Sequence, residues 1–144
     1  MDKFEFNAEI AKVDDEKRQV FGIFSLVEKN GDTVVDSEGD VIATSELEKA
    51  AYNHVLHARI AGENHIRKGV GTLIESFMFT DEKRDALVKA LAVSGIVAKV
   101  DIPAVFWWGG YHVHDDKVWK AVKEGEYTSF SIGGSANREE DNGE

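Results

Sequence analysis

Phe4, Phe6, Ala8 and Ile10 alternate with Glu5, Asn7 and Glu9, the two-residue period of a strand with one buried face, so the chain is expected to open on a strand. Residues 19–27 are rich in the β-branched and aromatic types that suit a pleated, half-buried surface. Lys29-Asn30-Gly31-Asp32 follows, and Asn-Gly is the pair that tolerates the positive φ angles of a tight hairpin. Thr33, Val34 and Val35 are expected to begin the return strand, and the polar run Asp36-Ser37-Glu38-Gly39-Asp40 to turn the chain towards Val41 and Ile42.

The period then changes. Ser45 and Glu48 have the spacing of a capping box, and Leu47, Ala50, Ala51, His54, Val55 and Ala58 recur at helical intervals, predicting a helix over about 45–61 that Gly62 ends. Residues 69–79 read as a strand, after which Thr80-Asp81-Glu82 caps a second helix with the apolar stripe Ala86, Leu87, Ala90 and Leu91. One or two strands are expected between Ser94 and His114, around Pro103. Asp115 and Asp116 open a third, short helix with Val118, Trp119 and Val122 inward and Gly125 as its C-cap. A last strand is expected from Tyr127 to Ile132. Scattered helices among more numerous strands fit an α+β domain, or a small barrel with helices outside it, better than a regular βαβ alternation.

The 144 residues suit one domain, assigned to 1–137, with 138–144 as an acidic tail. A hydrophobic fraction of 42%, with three Trp and eight Phe, supplies a core without help from metal or disulfide. The chain has no cysteine, which excludes a disulfide framework, a thiol nucleophile and thiolate-bound zinc, and suits a reducing compartment. Neither a signal-peptide pattern nor an apolar run near 20 residues is present, so a cytoplasmic location is expected. A formal charge of −10 repels phosphate, and neither nucleic acid nor membrane is expected as a partner.

Histidines stand at 54, 57, 65, 112 and 114. His54 falls on the apolar stripe of the first helix and reads as a packed core residue. His57 lies one turn on, and His112 and His114 share a strand face, so a histidine metal site near Asp115 or Asp116 is geometrically conceivable; no established ligand motif supports it, and no metal or cofactor is expected. His65 differs, lying in a loop after Gly62. Ser131 precedes Gly133-Gly134, where absent side chains let a peptide approach the backbone. On composition, Ser131 is either a strand residue before a turn or a nucleophile in need of a neighbouring base.

Read in order, Asp36-x-x-Gly39-Asp40-Val41-Ile42, the helix Leu47-Glu48-Lys49-Ala50-Ala51-Tyr52, Gly62-Glu63-x-His65 and Gly125-Glu126-Tyr127-x-x-Phe130-Ser131-Ile132-Gly133-Gly134 resemble the XkdF-like phage serine proteases. That group is similar to the prohead proteases, which share the herpesvirus assemblin fold. The resemblance runs from Phe4 to about Glu140 and is weakest between Leu91 and Trp107. It implies a small, mostly antiparallel, closed or nearly closed β-barrel with about three flanking helices. It implies Ser131 as nucleophile, in preference to Ser129, His65 as general base, and backbone N–H groups at Gly133 and Gly134 as oxyanion donors. A third catalytic group, usual in related proteases, has only Glu139, Glu140 and Asp141 as downstream candidates, and Glu63 upstream. A truncated protease, a dyad and an inactive homologue all stay open. The activity implied is capsid maturation within the prohead in the host cytoplasm, with scaffolding and major capsid protein segments as substrates and a homodimer as an oligomeric form known among assemblin relatives. The alternative is a catalytically inactive assembly or scaffold protein of the same fold, in which Val105-Phe106-Trp107-Trp108 is either a partner-facing patch or a barrel strand with both faces covered.

Overall fold

Among the described residues of the computed structural model the elements run β1 (Asp2–Glu9), β2 (Lys12–Asp14), β3 (Gln19–Lys29), β4 (Asp32–Thr33), α1 (Thr44–His57), β5 (Ile60–Glu63), β6 (Arg67–Phe79), α2 (Asp81–Val93), β7 (Ala104–Val113), α3 (Asp116–Lys123) and β8 (Ser129–Ala136). The structure describes residues 2–35, 39, 41–57, 60–63, 67–126 and 129–136; for 2–8, 60–63, 67–69 and 129–136 it describes the backbone and its pairing. All the strand pairs are antiparallel, in the order β1-β8-β5-β6-β7-β3-β2, with β4 paired to β3.

The protein is thus α+β, but the expected barrel is not closed: no ladder joins β1 to β2, the two ends of the strand order. These ends are consecutive in the chain. Beyond β1, the Ala11 N–H donates to the Phe21 carbonyl (2.7 Å), so the chain leaves one edge of the sheet and arrives at the other. Gly22 permits that crossing, because a Cβ there would stand 2.1 Å from the Glu9 carbonyl oxygen.

The Asn30-Gly31 turn forms as expected, with φ of 53° and 85° and Lys29 paired to Asp32. The return strand is shorter than expected, stopping at Thr33, with Val34 N–H bonded to the Val27 carbonyl at 2.7 Å. The described part of β8 begins at Ser129 and runs on to Ala136, past the expected end at Ile132.

Helix α1 buries Leu47, Ala50, Ala51 and His54, which join Phe24, Trp107 and Tyr111 in the core. Trp107 stands edge-on to Phe24 at 4.9 Å, and the Tyr111 ring stacks on Phe24 at 5.6 Å, offset geometries that aromatic quadrupoles favour. Gly109 leaves room for this packing, since a Cβ there would come within 2.3 Å of the Phe24 ring. The short helix α3 closes the far end of the core with Val118, Trp119 and Val122 and is capped by Asp115, which accepts from Val118 N–H at 3.0 Å. Its C-cap is Glu124, and Gly125 follows with φ 76°.

Two further expectations need correction. Helix α1 ends at His57, and Gly62 lies inside strand β5; two neighbouring strands supply its residues with ladder partners, which outweighs a helical period read locally. Helix α2 forms behind its Thr80 cap, with Lys83 N–H donating to Thr80 Oγ1 at 3.2 Å, but Ala86, Leu87 and Ala90 are exposed and Leu91 only half-buried. A stripe records what a helix offers, and no element among the described residues covers this one. The segment Val105–Trp108 belongs to the single strand β7, whose alternation sends Val105 and Trp107 into the core and leaves Phe106 and Trp108 half-buried on the opposite face. No helix among the described residues is long and apolar enough to cross a membrane.

Candidate active site

Strand β8 holds Ser129, Ser131, Gly133 and Gly134, and lies between β1 and β5. Against β1 the register sets Ser129 opposite Glu9, Ser131 opposite Asn7, Gly133 opposite Glu5 and Gly134 opposite Phe4. Against β5 it sets Ser131 opposite Gly62 and Ile132 opposite Ala61. The backbone at Ser131 is therefore paired on both sides. Such a setting holds a residue in register without a loop's freedom, which a nucleophile benefits from.

His65 lies outside the described residues. The nearest described residues on either side are Glu63, which ends β5, and Arg67, which begins β6, and the two pair with each other. Glu139, Glu140 and Asp141 also lie outside the described residues, whereas Glu63 is a residue of β5.

The remaining histidines do not converge. His54 is 1% exposed, with its Nε2 hydrogen-bonded to Tyr111 Oη and its ring edge-on to Trp107 at 5.7 Å, as its place on the apolar stripe suggests. Burial pushes the Tyr111 phenol well above its ordinary value, so it stays protonated beside His54. His57 is exposed at the end of α1, and His112 Nδ1 faces the Lys17 carbonyl at 3.0 Å. His114 is exposed, just beyond β7. No group of three His, Cys, Asp or Glu residues able to hold a metal ion occurs among the described residues.

Sequence reading missed β5 and therefore the neighbours of Ser131. The β-branched Ile60 was the local signal available, diluted by Ala61 and Gly62, which strands disfavour. The pairing of Asn7 with Ser131 left none, because it joins opposite ends of the chain.

The family is shown by comparison with known proteins, which places the chain among phage proteins. The chain belongs to the family described as "Putative phage serine protease XkdF", whose model matches residues 7–140. It is 30% identical over 128 residues to the Bacillus subtilis (strain 168) protein YqbD, covering 88% of this chain and 34% of that protein. It is 27% identical over 124 residues to the phage-like element PBSX protein XkdF of the same organism, covering 85% of this chain and 38% of that one. The chain thus spans little more than a third of the length of these relatives. No solved structure matches it significantly.

Proposed function

We propose that the chain is a serine endopeptidase domain acting in phage capsid maturation, with Ser131 as nucleophile and His65 as general base. The observation that carries this reading is the pairing of Ser131 with Gly62. Three peptide units separate Gly62 from His65, roughly 11 Å at full stretch, and directly opposed strand residues lie about 4.5–5.5 Å apart. The length of chain between Gly62 and His65 thus allows the imidazole to approach Ser131, and Gly62 itself carries no side chain.

In this reading His65 takes the hydroxyl proton as Ser131 Oγ bonds to the scissile carbonyl carbon. Collapse of the tetrahedral intermediate breaks the C–N bond, and the amine leaves with the proton from His65. Water then hydrolyses the acyl-enzyme. Main-chain N–H groups at Gly133 or Gly134 face the oxyanion, and the group orienting His65 comes from Glu63, Glu139 or Glu140. In the same reading the substrates are scaffolding and major capsid protein segments, cleaved inside the prohead in the host cytoplasm.

Labelling with a fluorophosphonate tests the reading. Wild-type protein is expected to incorporate the reagent at Ser131, Ser131→Ala to lose it, and His65→Ala to label about 100-fold more slowly or worse. Equal labelling of wild type and Ser131→Ala would overturn the assignment and favour an inactive assembly component.

A further inference from the structure

The register around Ser131 reaches beyond the pair just described. Directly opposed residues of an antiparallel ladder share a face, and steps of two return to it. Ser129, Ser131 and Gly133 therefore share a face with Glu9, Asn7 and Glu5 of β1, and Ser131 shares it with Gly62 of β5. Phe130, Ile132 and Gly134 fall on the opposite face with Ala8, Phe6 and Phe4. The alternation noted at the start of the chain thus separates an apolar face from a polar one, and Ser131 is on the polar one.

Acyl transfer to Ser131 places negative charge on the former carbonyl oxygen, which needs preorganised donors. Successive N–H groups of a strand point to opposite edges. The β1–β8 ladder runs through both Gly133 and Gly134, so one of these two N–H groups points to β1 and only the other points away from it. The backbone at this diglycine therefore supplies one donor where a second is wanted. Gly62 has no side chain to offer. Glu5 and Glu9 stand diagonally, about 7–8 Å away, and as carboxylates they only accept. Asn7 is directly opposed to Ser131, with opposed Cβ atoms about 4.5–5.5 Å apart, and its neutral carboxamide carries two N–H donors.

We propose that Asn7 is a catalytic residue of the Ser131 reaction, its side-chain amide donating a hydrogen bond to the oxyanion of the tetrahedral intermediate. This rests on the assignment of Ser131 as nucleophile. Asn7 takes no part in the proton transfers: the Oγ–C bond forms, the carbonyl electron pair moves to oxygen, His65 holds the proton, and the amide N–H meets the charge on that oxygen until the C–N bond breaks.

The test is the rate and the affinity of fluorophosphonate labelling measured separately, since the phosphoryl oxygen of the reagent develops charge in the same position. Asn7→Ala is expected to lower the maximal labelling rate by about 10²–10³-fold, as loss of one such donor does. The reagent concentration at half-maximal rate and the thermal midpoint should stay unchanged. Asn7→Asp, which keeps the shape and exchanges donor for charged acceptor, should label at least as slowly, and Asn7→Gln should recover part of the rate. A wild-type protein that fails to label at Ser131 would sink the nucleophile assignment, and this inference with it. A wild type that labels at Ser131, with Asn7→Ala within threefold of its maximal rate, would overturn the role of Asn7 alone. So would an Asn7→Asp variant at the wild-type rate. Should Asn7→Ala fail to fold, the isosteric Asn7→Asp and Asn7→Gln pair decides.

Discussion

At the scale of single residues, the buried pair His54 and Tyr111 ties α1 to the sheet. The phenol, held protonated by burial, shares a hydrogen bond with His54 Nε2, so that two polar groups inside an aromatic cluster are partnered. Tyr111→Phe keeps the ring against Phe24 and removes that partner, and is expected to cost about 1–3 kcal/mol, the desolvation cost of a buried group deprived of its partner. Urea denaturation should show it as a lower midpoint with an unchanged slope. Replacing both residues, as His54→Leu with Tyr111→Phe, should recover part of the loss, because apolar groups in both places leave nothing to satisfy. His54 was legible in the sequence as a core residue because its helical spacing matched Leu47 and Ala51. Its partner was not, since Tyr111 stands on a strand far along the chain.

Among the elements, α2 is the exception to the general agreement between pattern and packing. Thr80, Asp81 and Glu82 mark its start correctly, because capping is a local interaction between a hydroxyl and a nearby N–H. Its apolar stripe misleads, because burial needs a second surface, which no periodicity announces. Without a buried face, the helix relies on its cap and its first-turn contacts. Thr80→Ala is therefore expected to raise hydrogen exchange across 81–93 by the equivalent of about 0.5–2 kcal/mol while leaving the core strands protected as before. Loss of protection in β7 to the same extent would show that α2 is coupled to the core after all. Strand β5 fails in the opposite sense: Ala61 and Gly62 carry little intrinsic strand signal, and β6 and β8 impose extended pairing from both sides.

Across the whole molecule, one ion pair joins the two longer helices. Lys83 Nζ lies 2.7 Å from Glu48 Oε2, and the Tyr52 hydroxyl bonds to both. The hydrogen bond from Lys83 holds the Glu48 carboxyl below its ordinary value, with partial burial opposing it. For Lys83, burial acts to lower the value, but the bonds to Glu48 and Tyr52 outweigh it and leave the ammonium above its ordinary value. A depressed carboxyl contributes stability fully above its unfolded value and loses it as pH falls through the folded one; a raised ammonium contributes fully below its unfolded value and loses it as pH rises through the folded one. The link between α1 and α2 is thus intact across neutral pH and should loosen as acidification passes below the ordinary carboxylate range. Both side chains are nearly a third exposed, so the effect stays within the ~0–1 kcal/mol of surface pairs. Hydrogen exchange of α2 against pH should show the acid step in wild type and none in Glu48→Gln.

What the sequence determined by itself was local. The Asn30-Gly31 turn, the caps at Thr80 and Asp115, the strand period at residues 4–10 and the helical stripe around His54 all depend on residues within about four positions of each other. Family membership was equally legible, carried by the order of motifs along the chain. Tertiary structure alone decided which strands are neighbours, and with them what surrounds Ser131. Ladder register is set by burial of one whole sheet face against another surface, a sum over many residues. That sum sets Asn7 and Gly62 on either side of the serine, leaves the sheet unclosed, and leaves α2 uncovered.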